Sequence, residues 1–94
     1  MRLVWLPTAV ANRDAHLDYI AQDSPSAAIE QGDRIEHQVG LLIEHPEMGR
    51  PGRKRGTREL VISRTPFVVV YRIKPRAKRI ELMRVLHGAQ QWPP

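Results

Sequence analysis

The sequence predicts an α+β fold: an N-terminal strand, a two-helix hairpin and then a three-stranded antiparallel meander. Three observations predict it. Between Gly56 and Trp92, three runs of β-branched and aromatic residues follow one another across short Pro-containing breaks. Between Thr8 and His45, apolar residues recur at three- and four-residue spacing, interrupted at Asp23-Ser24-Pro25. Ahead of both stands a short apolar run, Arg2–Leu6 (RLVWL), suited to an added strand.

The meander is the segment on which the rest is built. Thr57–Arg64 alternates, with Leu60 and Ile62 on one face and Glu59, Val61 and Ser63 on the other. After Thr65-Pro66 comes Phe67–Lys74, whose FVVVY is apolar on both faces and therefore belongs in the middle of the sheet. Pro75-Arg76-Ala77-Lys78 turns the chain into the last run, Arg79–His87.

Pro7-Thr8 ends the first strand, and Thr8 is placed to cap a helix running to about Gln22. Val10, Leu17, Ile20 and Ala21 form its apolar stripe, leaving Asn12, Arg13, His16 and Asp18 largely outside it. Ser24 caps a second helix with Pro25 in its first turn, extending to about His45, where Pro46 disfavours helical geometry. Ala28, Gly32, Ile35, Val39 and Leu42 make its core stripe, and Gly32 on that stripe predicts a close approach. Two helices joined by about three residues form a hairpin on one face of the sheet. The expected core is Trp5, Leu17, Ile20, Ile35, Val39, Leu42, Leu60, Ile62, Val69, Tyr71, Leu82 and Val85.

Pro46–Gly56 reads as an irregular, basic, surface loop because of its three Gly and two Pro. Gly88–Pro94 reads as a short tail anchored by Trp92. Ninety-four residues suit one domain spanning 1–94. No apolar run is long enough for a membrane span, the N-terminus lacks a secretion signal, and cysteine is absent, which together suit the cytoplasm.

Charge is divided unevenly along the chain. Residues 1–49 hold three Arg against eight acids, a balance of −5; residues 50–94 hold twelve Lys and Arg against Glu59 and Glu81, a balance of +10. Such a split suits contact with a polyanion or an acidic protein, and equally a solvated basic surface. Arg53, Lys54 and Arg55 in the loop, with Arg58 and Arg64 beside it, form a candidate target-binding or phosphate-tracking set.

Several chemistries are poorly supported. The acids sit at spacings typical of solvated helix faces, and His16, His37, His45 and His87 have no metal-ligand spacing, so neither a metal nor a cofactor is expected. GRPGRKRG lacks the spacing and the Lys-Ser/Thr ending of a P-loop. For RNA cleavage, which needs a proton carrier and a cation for the developing phosphorane charge, the candidates are His87 and Arg84. In a regular last strand Arg84 shares a face with Ile80, Leu82 and Leu86, and His87 with Met83 and Val85, so the two meet only if the strand twists or ends there. The plainer alternative is that His87 closes a strand and the arginines are solvated or paired with Glu59 and Glu81.

The segments WLPTA, YIA…SPSAA, HPEMGRPGR, GTREL, PFVVVYRI and RVLHGAQQWP, in this order of elements, resemble the RelE/ParE superfamily of type II toxin–antitoxin toxins. Within it they are most similar to the ParE-like plasmid-stabilisation toxins, over nearly the whole chain. The resemblance implies a growth-inhibiting toxin neutralised by a cognate antitoxin, for which Arg58, Arg72 and Arg84 are candidate contacts. It also implies one of two targets: RelE-like and YoeB-like members cleave messenger RNA on the ribosome, whereas ParE-like members inhibit DNA gyrase and are not nucleases. RelE-like members carry an arginine after the aromatic that opens the central strand, where this chain has Val68. YoeB-like members carry a loop glutamate where this chain has Gly52, and a tyrosine after the histidine where it has Gly88. The departures favour gyrase; His87 and the basic half keep a ribosome-dependent endoribonuclease as the alternative, and a chain that only binds antitoxin is a third.

Overall fold

Strand β1 (Arg2–Trp5) leads into helix α1 (Pro7–Asp23), helix α2 (Pro25–Gly40) and a 3-10 turn (Leu41–Ile43) in this computed structural model. Strands β2 (Arg50–Pro51), β3 (Arg58–Val61), β4 (Phe67–Lys74) and β5 (Arg79–His87) follow. Residues 1–88 and 90–94 are described; Ala89, in the expected tail, lies outside them. The strands form one sheet in the order β1-β5-β4-β3-β2, with β3, β4 and β5 an antiparallel meander and β1 added parallel to β5. The α+β reading and the central place of Phe67–Lys74 therefore hold.

Both helix starts follow from proline. Pro7 stands in the first turn of α1, preceded by Leu6, whose N–H still donates to Leu82 O (3.0 Å) as a continuation of the strand. The helix thus begins before Thr8 can cap it, which corrects the expected boundary. Ser24 does cap α2, its Oγ accepting from the Ala27 N–H at 3.2 Å. The α-helix ends at Gly40 and tightens into the 3-10 turn, short of His45.

Gly32 explains how the two helices pack. A Cβ there would lie 3.3 Å from Leu17 Cδ1, tighter than an ordinary contact, so the close approach expected on the stripe is present. The main core joins Ile35, Val39 and Leu42 of the second helical segment to Leu60, Ile62, Phe67, Val69, Tyr71, Ile80, Leu82 and Val85, with Trp5, Leu17 and Ile20 packed at its margin. Those last three are half-buried, and Ala9 is the buried residue of α1.

Helix α1 has a second task that its sequence hides. Strand β1 pairs with β5 only as far as Trp5↔Leu82. Further along β5, the Val85 N–H donates to Asn12 Oδ1 (3.3 Å) and the Val85 carbonyl accepts from His16 Nε2 (2.9 Å). Two polar side chains one helical turn apart thus occupy the backbone groups of a strand edge, which would otherwise be open to another chain. Arg13, also expected in solvent, lies 4.7 Å over the Trp5 ring.

Two further corrections concern the basic segment. The loop after Pro46 was expected to lack regular structure, yet Arg50 and Pro51 pair with Glu59 and Arg58 as an edge strand. Proline is admissible there because an edge strand needs few ladder donors. The run expected to extend to Arg64 ends at Val61, where the Ile62 N–H donates to Phe67 O (3.0 Å) and Arg64 takes a positive φ of 65°. Gln38 of α2 grips this turn in both directions, accepting from the Ser63 N–H (2.7 Å) and donating to Ser63 O (3.2 Å).

Tyr71 ties the central strand to the basic loop. Its ring is fully buried, its hydroxyl donates to Pro46 O (2.7 Å) and accepts from the Gly49 N–H (2.9 Å), and burial raises its pKa. Tyr71→Phe leaves both loop groups unpaired and is expected to cost about 1–3 kcal/mol in urea unfolding. Val61→Thr, at an exposed position, should stay within about 0.5 kcal/mol.

Candidate functional site: the outer face of the sheet

The face of the sheet turned away from the helices gathers Arg53, Lys54, Arg72 and Arg84 of the residues the sequence singled out. Its composition depends on an irregularity in β5. Pairing passes from Val70↔Arg84 to Tyr71↔Leu82, so β5 carries one extra residue, Met83, and its alternation resets. Ile80 and Leu82 face the helices, and so does Val85, whereas Leu86 joins Val68, Val70, Trp92 and the half-buried Met83 in a second cluster on the outer face. Arg84 therefore does not share a face with Ile80 and Leu82, which corrects the regular-strand expectation.

The tail closes over that second cluster. Trp92 is 9% exposed and packs on Val68, Val70 and Leu86. Two cations bracket its ring, Arg84 at 5.3 Å and Lys54 at 6.0 Å from the centroid. A small cavity of about 150 Å³ beside it is bordered by Asn12, Arg84, Gln90 and Gln91.

Two buried carboxylates organise the remaining arginines. Glu59 is 1% exposed and accepts from Arg50 (3.2 Å) and from both the backbone N–H (2.8 Å) and the guanidinium (3.1 Å) of Arg53. Burial alone would raise its pKa, but the hydrogen bonds from Arg53 and Arg50 outweigh this and hold it below the usual carboxylate range. Glu81 accepts from Arg72 (2.6 Å) and Arg79 (2.9 Å), and those bonds, Arg72's first, lower its pKa as well. Pairing with Glu59 and Glu81, the plainer alternative, is thus what the structure shows for Arg72, although the other partners are Arg50, Arg53 and Arg79.

The other candidates are dispersed. Arg58 donates to Gly49 O (2.7 Å) and Glu47 O (3.3 Å), fastening the loop. Arg55 and Arg64 are exposed. His87 lies across the sheet from Arg84: its ring meets Phe67 edge-on at 6.4 Å, on the helix side. There it borders a cleft of about 170 Å³ with His16, Tyr19, Gln31 and Phe67, and His16 stacks against the same Phe67 at 5.2 Å. The structure therefore brings His87 to a second histidine and not to Arg84. His16 was missed because its place on a helix spacing gives no hint that it reaches a strand edge. Among the described residues no group of three or more His, Asp or Glu is arranged to hold a metal, and no helix is long and apolar enough to cross a membrane.

This architecture has relatives. Residues 3–92 match the family described as the ParE toxin of the type II toxin–antitoxin system parDE. The chain belongs to the ParE toxin family. The “Putative toxin Y4kP” of Sinorhizobium fredii is 40% identical over 92 residues, covering 98% of this chain and 93% of that protein. Toxin RelE2 of Caulobacter vibrioides is 34% identical over 89 residues, covering 95% of this chain and 97% of that protein. A solved structure of the chromosomal ParDE toxin–antitoxin system from P. aeruginosa superposes with a TM-score of 0.80 at 32% identity, covering 93% of this chain and 95% of that one. As a ParE-family protein the chain is the toxin of a type II module and has a cognate antitoxin as its partner.

Because both carboxylate pKa values are depressed in the folded toxin, their stabilisation is complete above the unfolded value near 4.5 and is lost as pH falls through the lower folded values. The melting temperature should be flat from neutral pH to about pH 5 and fall below it, and Glu81→Gln should shallow that acid limb. An equal acid limb in the variant would remove Glu81 from the account. Trp92→Ala uncovers Val68, Val70 and Leu86, with an expected loss of about 3–5 kcal/mol in denaturant unfolding.

Proposed function

We propose that this ParE-family toxin acts without catalysis, binding DNA gyrase and trapping its cleaved-DNA state. The observation that carries the reading is the burial of Val68. RelE-like ribonucleases resembling this chain place an arginine there, whereas Val68 is 7% exposed and packed in the cluster that Trp92 closes. An arginine at that position would put an unpaired charge beneath the indole.

Two neighbouring features support the same reading. Where YoeB-like members carry a glutamate, a Cβ on Gly52 would fall 2.9 Å from the Thr57 carbonyl and collide with Thr57 Oγ1, so the loop has no room for a side chain. Where they carry a tyrosine, a Cβ on Gly88 would lie 3.3 Å from the Pro66 carbonyl oxygen, tighter than an ordinary contact. With His87 and Arg84 on opposite faces, the candidate proton carrier and the candidate cation do not converge on one phosphate.

The second reading, a ribosome-dependent messenger RNA endoribonuclease, is favoured by the RelE name of the Caulobacter relative and by the two imidazoles at one cleft. For the antitoxin we propose an acidic, amphipathic segment that covers exposed apolar side chains such as Leu41, Ile43 and Met48, and meets the basic half through Arg58, Arg72 and Arg84. Arg72 and Arg84 are on the outer face, while Arg58 reaches the loop, so such a segment has to pass the β2 edge.

Induction of the toxin, with supercoiling by purified gyrase measured beside 5′-end mapping of cellular messages, separates the two targets. The expected result is gyrase inhibition with intact messages, unaffected by His87→Ala. Codon-phased cleavage with normal supercoiling, abolished by His87→Ala, overturns the gyrase reading.

A further inference from the structure

Most Lys and Arg side chains of the chain are engaged with an acid, a carbonyl or a ring. Among the described residues, six make no such contact: Arg2, Arg55, Arg64, Lys74, Arg76 and Lys78. Four of these six sit at one end of the sheet. Lys74 closes β4, Arg76 and Lys78 form the β4–β5 turn, and Arg2 opens β1. All four are exposed.

The backbone fixes them beside one another. Lys74 pairs with Arg79, and Arg79 in turn pairs with Arg2, so three adjacent strands place three cations in one row. At a strand spacing of about 4.8 Å the row spans roughly 10 Å. The turn is closed by the Lys78 N–H donating to Pro75 O (3.2 Å), with Lys78 at a positive φ of 52°. It is fastened to β1 by the Arg2 N–H donating to Lys78 O (3.2 Å). The one acid nearby, Glu81, is buried under Arg72 and Arg79 and already neutralised.

Like charges directly opposite one another in a sheet are destabilising. In this row Glu81 compensates only the central Arg79, so Lys74 and Arg2 at its ends stay uncompensated inside the fold, which is the mark of a surface kept for a partner. We propose that this end of the sheet, Arg2 with Lys74, Arg76 and Lys78, is a contact site for the phosphodiester backbone of a nucleic acid, read without regard to base sequence.

The chemistry of the patch selects that partner over an acidic protein. Protein interfaces are depleted of Lys and depend on a central aromatic or aliphatic anchor. Between Lys74 and Arg79 the only uncharged side chains are Pro75 and Ala77, and neither anchors. The same segment holds no Asn or Gln to read an adenine and no aromatic residue to stack a base. What it offers is exposed positive charge on long side chains over a pinned backbone, which suits phosphate contact.

The inference does not depend on the gyrase reading, and its test contains neither gyrase nor ribosome. Anisotropy of a short labelled DNA duplex and of a single-stranded RNA of equal length is titrated with the purified full chain between about 50 and 200 mM salt. The expected result is binding whose log–log salt slope falls by about 3–4 in Arg2→Gln/Lys74→Gln/Arg76→Gln/Lys78→Asn, at roughly 0.9 per phosphate for the duplex. Arg76→Gln alone, which leaves the turn hydrogen bonds intact, should lower it by about 1 and keep the melting temperature. A stronger response with the duplex or with the RNA names the source of the backbone. Failure of the wild-type chain to bind either one overturns the proposal. So does an unchanged slope in Arg76→Gln, an equal fall in Arg55→Gln/Arg64→Gln, or preferential capture of a polyglutamate competitor.

Discussion

Strand β4 is buried on both of its faces, and this requirement governs the arrangement around it. Phe67, Val69 and Tyr71 turn towards the helix hairpin, whereas Val68 and Val70 turn the other way. Each of those side chains gains about 1.5–3 kcal/mol from burial, so a sheet solvated on its second face would forfeit a large share of a small protein's stability. The hairpin can cover one face only. The other is closed by a single indole, Trp92, delivered by the C-terminal tail and flanked by Arg84 and Lys54. Two covers of unequal size follow from one five-residue run, FVVVY.

The outer cover determines how charge can be used. A buried carboxylate is costly unless its oxygens are paired, and Glu59 and Glu81 are each paired with two guanidiniums. Arg50, Arg53, Arg72 and Arg79 thereby commit part of their hydrogen-bonding capacity to the fold, and Arg58 part of its own to the loop that Tyr71 also holds. The half-chain balance of +10 consequently overstates what is available to a partner. The charge that Glu59 and Glu81 leave uncompensated is concentrated at the β4–β5 turn and the first residues of β1.

Much of the fold was legible because its signals were local. Ser24-Pro25 marks a helix start by cap chemistry, Ile35, Val39 and Leu42 keep the core-facing spacing, and an apolar run on both faces identified the central strand. The elements that escaped depend on long-range geometry. Asn12 and His16 have the pattern of a solvated helix face and become edge caps only because β1 stops at Trp5 while β5 continues. Arg50 and Pro51 have the composition of a loop and form a strand only because β3 offers an open edge. The candidate site was legible as residue types and not as a constellation. The extra residue in β5 resets its alternation from Arg84 onward, and no feature of RIELMRVLH announces it.

A fold can keep its frame while the use of one position changes, and position 68 is such a place. It lies on the outer face of the central strand, in the zone where Trp92 packs. An arginine there and an indole closing over it are competing solutions: the cation needs solvent or an anion, and the ring needs an apolar floor. With valine at 68 the floor is complete, the tail docks, and Arg84 lies over the ring, on the face that the β5 register separates from His87. For this chain to cleave RNA, His87 would have to work with groups of its own cleft. There, His16 Nε2 is already hydrogen-bonded to Val85 O. The same contacts that complete the core are thus what supports the proposed action by binding.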